Sequence, residues 1–367
     1  MSKSVEDLFS HLSDPRQPWK VLHKLSDILF IALCTLLSNG LDFEDMEAFA
    51  RERRDWLLKY ISLSNGIPSH DTFNRVFQLL EPDALLEVLK NDGDEFIRNL
   101  EGLHINFDGK KIKGYSPKSK GNTGLFVVTA WINEHKLCLG QQKVDTKSNE
   151  KTAIPKLLES IDIKGSTITI DAIGTQKDIA KKIIDKEADY ILALKKNQKT
   201  LFEEVDDELI WSKVVAEDTD TTYDNQHGRI ETRVCKKLPA EDLLEEYFSS
   251  KWANLKTIIR IEYKRVENNI TTCNTRYYIS SKEATAHYFN LNIRGHWSIE
   301  NQLHWHLDMT FEEDKNRCRT GHAQVNLNSM RKIALNKIKR SDEKLSLKKR
   351  KFKASLNKDY LEELVFA

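Results

Sequence analysis

His104-Ile105-Asn106-Phe107-Asp108 marks the point where the periodicity of the sequence changes. Before it, apolar residues recur at three- and four-residue steps, the spacing of helices packed by one face. From Leu103 onward they come in short runs rich in β-branched residues, bounded by turn-forming residues. The quoted run predicts a strand that ends at Asp108, followed by a loop rich in Gly and Lys over residues 109–121.

Working downstream, residues 125–133 and 137–145 predict two further strands in an antiparallel meander. Residues 150–161 predict a helix, 166–171 a strand, 176–186 a helix and 190–194 a buried strand. The order β-β-β-α-β-α-β is that of an α/β domain with a ribonuclease H-like mixed sheet. Residues 199–283 depart from it and predict a β-rich insertion, with strands near 257–266 and 275–279. A long helix over 284–309 and a basic helical tail follow.

Upstream, residues 1–98 predict an all-helical N-terminal domain. One helix covers 25–37 and stops at Asn39-Gly40, and a second begins at Asp42 as N-cap. A third follows Gly66-Ile67-Pro68, with Ser69 as cap and Phe73, Val76, Phe77 and Leu80 on its apolar side. A helix-turn-helix reading would turn His70, Asn74 and Arg75 outward toward DNA; an ordinary helical hairpin fits the same residues. The expected divisions are 1–98 helical, 99–198 catalytic core, 199–283 insertion, 284–330 catalytic helix completing the core, and 331–367 tail.

The 57 Lys and Arg are balanced by 56 Asp and Glu, so the total charge says little. Residues 331–353, however, hold eleven Lys and Arg against Asp342 and Glu343. Such a run fits a polyanionic partner or a solvated helix face. Five scattered cysteines without a CxxC pair exclude a disulfide framework and a structural zinc site of that kind, and fit a reducing compartment. The best apolar run, 28–37, is about half the ~20 residues a membrane span needs. The expectation is a cytoplasmic, nucleoid-associated protein without membrane attachment.

Asp108 and Asp171 each close an apolar strand, where a carboxylate is aimed by a rigid backbone. Two such strand ends can converge on a hard cation, although turn aspartates are also common. A third carboxylate, Glu300, lies in a polar stripe of His296, Glu300, His304 and Asp308 at four-residue spacing. A zinc site of His296, Glu300 and His304 fits that spacing too, but no HExxH is present and the two aspartates would go unused. Trp297 and Trp305 are expected to pack rather than to stack on bases. Lys110, Lys111, Lys113, Lys195 and Lys196 flank the expected cleft and fit phosphate contacts, with solvated lysines the alternative. His227, Arg229 and Arg233 in the insertion, with Arg294 and His304 in the helix, complete the expected DNA-binding set.

Along almost its whole length the chain resembles the H-repeat-associated, ISAs-type branch of the DDE transposases. Matching residues include Gly66-Ile-Pro-Ser-His-Asp-Thr-Phe-Asn-Arg75, Phe107-Asp108-Gly-Lys110, Thr146-Lys-Ser-Asn-Glu150, Thr169-Ile-Asp171-Ala172, His227-Gly-Arg-Ile-Glu231 and His296-Trp-Ser-Ile-Glu-Asn301. The resemblance implies a catalytic, metal-holding triad of Asp108, Asp171 and Glu300. It implies two divalent cations, Mg²⁺ or Mn²⁺, with DNA bound, and double-stranded DNA (element ends and target) as the partner. It also implies a homodimer assembled on DNA. Related branches carry a Tyr-Arg-Glu-Lys signature about the third carboxylate. Here Arg294 stands six residues before Glu300, and Leu307 occupies the position seven after it. The implied activity is cleavage and transfer of DNA strands. The rival readings are a domesticated DNA-binding protein with catalysis unused and a structure-selective nuclease.

Overall fold

The computed structural model describes residues 4–9, 12–96, 100–115, 125–144, 150–211, 215–226 and 228–367. Six helices open the chain: α1 (Val5–Phe9), α2 (Leu25–Leu37), α3 (Phe43–Glu52), α4 (Arg54–Leu57), α5 (His70–Leu79) and α6 (Pro82–Phe96). Their starts follow local chemistry. The Asp42 side chain accepts from Asp45 N–H and that of Ser69 from Thr72 N–H, each satisfying an end donor that the helix itself leaves free.

The first half of the sheet consists of β1 (His104–Ile112), β2 (Leu125–Ile132) and β3 (Leu137–Val144). After α7 (Glu150–Ser160) come β4 (Thr167–Ile170), α8 (Lys177–Asp185) and β5 (Asp189–Leu194). The meander of β1, β2 and β3 is antiparallel, whereas β4 runs parallel to both β1 and β5. β1 continues past Asp108 to Ile112, so residues 109–112, expected in a loop, pair with β2 as far as Ile112–Leu125. Their Gly-Lys-Lys composition hides the pairing, because the strand here has one neighbour instead of two.

Residues 199–283 contain α9 (Lys199–Trp211), β6 (Asp218–Gln226), β7 (Arg229–Pro239), α10 (Ala240–Leu243), α11 (Glu246–Ser249), β8 (Thr257–Glu267) and β9 (Ile270–Ser280). These strands extend the same sheet, with β9 pairing antiparallel to β5. Among the described residues the result is a nine-stranded sheet in the order β3-β2-β1-β4-β5-β9-β8-β7-β6.

The expected long helix is divided. It runs as α12 (Ala286–His296), then a π-helical turn over Glu300–His304, then α13 (Trp305–Met309). The π turn is closed by Trp305 N–H donating to Glu300 O five residues back. Such turns insert a residue into an α-helix and recur at functional sites.

The tail forms α14 (Ala323–Arg340), α15 (Leu347–Leu356) and α16 (Lys358–Phe366). Only part of it is a solvated basic face, with Lys344, Lys348 and Lys349 exposed. α14 packs against α2, α5, α6 and β3, and Arg331, Lys332, Lys337 and Lys351 are buried. Each has an internal partner. Lys332 Nζ donates to Thr129 Oγ1 (2.7 Å) and Gln141 Oε1 (2.5 Å), Lys337 Nζ lies 3.5 Å from Asp92, and Arg331 lies 3.7 Å from Glu313. One apolar core therefore joins α1–α6 to the tail and to Ile299, Leu303, Leu307 and Phe311 in and around the π turn and α13. A second core lies between β1–β5, α7 and α8. Among the described residues no helix is long and apolar enough to cross a membrane.

Candidate active site

β1 is the wall of the site. Its residues alternate between faces: Phe107 enters the core shared with α7, while Asn106 donates from Nδ2 to Gly295 O of α12 (3.0 Å). Asp108 and Lys110 share the face of Asn106. Asp108 lies mid-strand in β1, not at its end, but the parallel pairing with β4 stops one residue before it, at Phe107–Ile170. Asp171 leaves β4 there, its Oδ1 accepting from Ile173 N–H at 3.0 Å. The two aspartates thus flank the opening where the sheet parts.

The π turn over Glu300–His304 crosses this opening. His304 is buried, and its Nε2 stands 3.1 Å from Asp108 Oδ2. One ligand atom each from Asp108, Glu300 and His304 falls within 4.8 Å of the others. Of the expected triad, Asp108 and Glu300 belong to this group, with His304 as its third member. Asp171 joins them in the lining of one cavity of about 540 Å³, beside Thr169, Lys195, His296, Trp297 and Arg276. The oxygen-rich donor set fits Mg²⁺ or Mn²⁺. His296, the further histidine of the zinc alternative, is bound instead to Thr169 Oγ1 through Nδ1 (2.9 Å).

Burial works against the charged form of Asp108, yet the His304 hydrogen bond, the nearby His296 and the Gly109 N–H hold its carboxyl below the ordinary value. Glu150, the first residue of α7, goes the other way. Burial, then the charges of Asp171 and Asp108, push its carboxyl up to about 7. Sequence reasoning assigned Glu150 no role, although it closes the Thr146-Lys-Ser-Asn-Glu150 match noted above.

Behind the carboxylates, Thr169 Oγ1 accepts from His104 Nε2 (2.7 Å) and His296 Nδ1, and donates to Asn106 Oδ1 (2.9 Å). One hydroxyl proton and two lone pairs are all used. This fixes the proton of His296 on Nδ1. Burial lowers the His296 pKa, favouring the neutral ring.

The expected DNA contacts divide into two groups. Lys111, Lys113, Lys195 and Lys196 are exposed, and half-exposed Arg294 pairs with Asp224 (2.8 Å). Arg229 pairs with Glu231 at 3.0 Å. Lys110 and His304 turn inward: Lys110 Nζ sits 2.5 Å from Asp308 Oδ1 and 3.1 Å from buried Glu313. Arg233 is largely enclosed beside Thr222, Tyr263 and Arg294. His227 lies outside the described residues. Trp297 and Trp305, expected to pack, are half-exposed, and the Arg276 guanidinium lies 5.6 Å from the Trp297 ring centroid.

A mixed sheet brings Asp108 of β1, Asp171 at the end of β4 and Glu300 of the π turn to one cavity, and comparison by sequence identifies the family. Residues 96–337 match the family described as Transposase DDE domain, and residues 6–91 match the DDE_Tnp_1-associated family. The chain belongs to the DDE transposase family. It is 39% identical over 372 residues to "Putative transposase YncI" of Escherichia coli O157:H7, covering 99% of this chain and 94% of that one. It is 36% identical to "H repeat-associated putative transposase YhhI" of Escherichia coli K12, with 97% of each chain covered. A third relative from the same strain, "Inactive transposase YbfQ", is 45% identical over 75 residues, 20% of this chain and 89% of that one.

Proposed function

We propose that the protein cuts the ends of an insertion element and joins them to target DNA, with Asp108, Asp171 and Glu300 holding the divalent cations. The observation that carries this reading is the convergence of the three carboxylates on one cavity that also takes in Lys195. The sheet order, with β4 parallel to β1 and β5 beside an antiparallel meander, supports a ribonuclease H-like core. The cations supply neutralisation of the scissile phosphate and activation of the attacking oxygen.

The chain's own residues prepare that chemistry. His304 donates from Nε2 to Asp108 and keeps its carboxylate ionised and oriented. Thr169 locks the His296 ring against the cavity wall. Lys111, Lys113, Lys195, Lys196, Arg229 and Arg294 contact phosphates, with His227 and Arg233 near the DNA end. Water attacks phosphorus at the element end, the P–O3′ bond breaks, and a 3′-hydroxyl remains. That hydroxyl then attacks a phosphodiester of the target, one bond forming for each broken. Joining two ends calls for two such sites, hence a DNA-assembled homodimer. A chromosomal substrate assigns the protein to the cytoplasm, in association with the nucleoid.

The test is cleavage and joining of labelled DNA bearing the element's ends, with Mg²⁺ or Mn²⁺, in wild type and Glu300→Ala. Joined product lost in the variant supports the reading. Cleavage without joining would favour a nuclease, binding without cleavage in either protein a domesticated DNA-binding role. Cleavage surviving Glu300→Ala would remove Glu300 from the triad.

A further inference from the structure

We propose that His296 is a further catalytic residue, whose Nε2 accepts a hydrogen bond from the attacking oxygen: water during cleavage, the 3′-hydroxyl during joining. This rests on the strand-cutting reading above and extends it.

Thr169 decides which nitrogen of the ring is free. Its hydroxyl donates to Asn106 Oδ1 (2.9 Å), and Asn106 Nδ2 donates to Gly295 O (3.0 Å), which fixes the orientation of that amide. With its one proton spent, Thr169 Oγ1 can only accept from His104 Nε2 (2.7 Å) and His296 Nδ1 (2.9 Å). His296 therefore carries a proton on Nδ1, and in the neutral ring Nε2 keeps a lone pair. Burial favours that neutral ring over the opposing pull of Asp108 and Asp171.

Among the described residues nothing donates to His296 Nε2. In the same network His104 Nδ1 is buried without a partner, whereas His296 Nε2 is not shut away. The His296 ring lines the cavity that also takes in Asp108, Asp171 and Glu300, and Nε2 is its one polar atom left to meet a ligand there. The end of α12 that carries the ring is tied to β1 through Asn106. The result is an acceptor held in place beside the carboxylates with nothing in the protein to accept from.

DNA narrows what can fill that role. Phosphodiester oxygens only accept, so at the reacting phosphorus the donors are the attacking water and, in joining, the 3′-hydroxyl. Coordination of a cation is the other use of a bare lone pair. However, the ligand atoms that come within 4.8 Å of one another belong to Asp108, Glu300 and His304, without His296.

The test is single-turnover cleavage of the labelled element end by wild type, His296→Asn and His296→Gln. Gel shift gives DNA affinity, electron paramagnetic resonance of free Mn²⁺ gives metal affinity, and thermal melting verifies folding. Asparagine keeps an N–H near Nδ1 for Thr169 but places nothing at Nε2, whereas the longer glutamine carries its amide out to the Nε2 position. His296→Asn is expected to slow cleavage about a hundredfold, the scale at which a misplaced reactant acts on rate. Melting and both affinities should stay as in wild type, and His296→Gln should recover much of the loss. Wild-type cleavage in His296→Asn overturns the inference and leaves the proposed function standing. So does a parallel fall in DNA affinity, Mn²⁺ affinity or melting temperature, which would make the ring a phosphate contact, a cation ligand or a structural group. An equal loss in both variants overturns it as well, since glutamine restores an acceptor. If wild type cuts no DNA, the proposed function fails and takes the inference with it.

Discussion

Lys110 Nζ lies 3.1 Å from the buried Glu313 Oε2, joining β1 to the segment just beyond α13. Glu313 also accepts from Asn328 Nδ2 (2.6 Å) and faces Arg331. The carboxylate is therefore shared by β1 and α14, and its charge is what lets two cations stay buried beside it. Glu313→Leu takes from Arg331 its counter-charge and leaves Lys110 with Asp308 alone. The expected loss is on the order of 3–5 kcal/mol, the range for breaking a buried pair from one side. Urea unfolding measures it, and a loss below about 1 kcal/mol would mean that the two cations find other partners.

Thr169→Val keeps the shape of the side chain but removes the hydroxyl that His104, His296 and Asn106 share. Supporting hydrogen bonds of this kind commonly matter about 10- to 100-fold for activity or metal affinity. Strand cleavage should fall by that order while DNA affinity, measured by gel shift, stays within about twofold. An equal fall in both would assign Thr169 to folding rather than to the site.

At Gly295 α12 comes against the sheet. A Cβ there would stand 2.9 Å from Asn133 Nδ2 and 3.2 Å from His104 Nδ1. Gly295→Ala should lift the helix away from β1 and separate Glu300 from Asp108. Overpacking of this kind costs roughly 1–3 kcal/mol. Cleavage should suffer more than the melting temperature suggests; unchanged cleavage would count against close helix–strand contact as a requirement.

Lys351 is buried above the Phe311 ring, its Nζ donating to Thr310 O at 3.1 Å. Burial, then repulsion from Arg331, lowers its pKa from 10.5 to about 7. Because the folded-state value is depressed, the unfolded chain binds the proton more readily between pH 7 and 10.5. The stability penalty is full below pH 7, and it is relieved as pH rises through that window. Lys351→Met should therefore stabilise the protein at pH 6 more than at pH 10, by up to a few kcal/mol. Chemical denaturation at the two pH values decides it. A pH-independent difference would show that the lysine titrates normally.

The parts of this protein that were legible from sequence are those whose cause is local. Strands β2 and β3 and helix α7 fall within a residue of expectation, because alternation, turn residues and helical period are properties of short windows. Asp108, Asp171 and Glu300 stood out for the same reason, as carboxylates closing apolar runs or repeating along a helix. The misjudged features depend on distant partners. Nothing near Lys332 announces Thr129 and Gln141, nor anything near Lys110 the buried Glu313. Read by themselves, these lysines look solvated. The π turn at Glu300–His304 escapes a period of 3.6 by construction, and nothing near Glu150 announces that its carboxylate packs against Gly109, forty-one residues earlier.

The ring of Phe366 in α16 lies 6.3 Å from Phe30 in α2 and 5.6 Å from Tyr60. Helices α2 and α16 are thus parts of one core, and the segment carrying Glu300 is anchored in it through Leu303 and Leu307. On a ribosome, Asp108, Asp171 and Glu300 emerge before α14–α16, which complete the core that seats the Glu300 segment. A chain interrupted between them would carry the three carboxylates without that support.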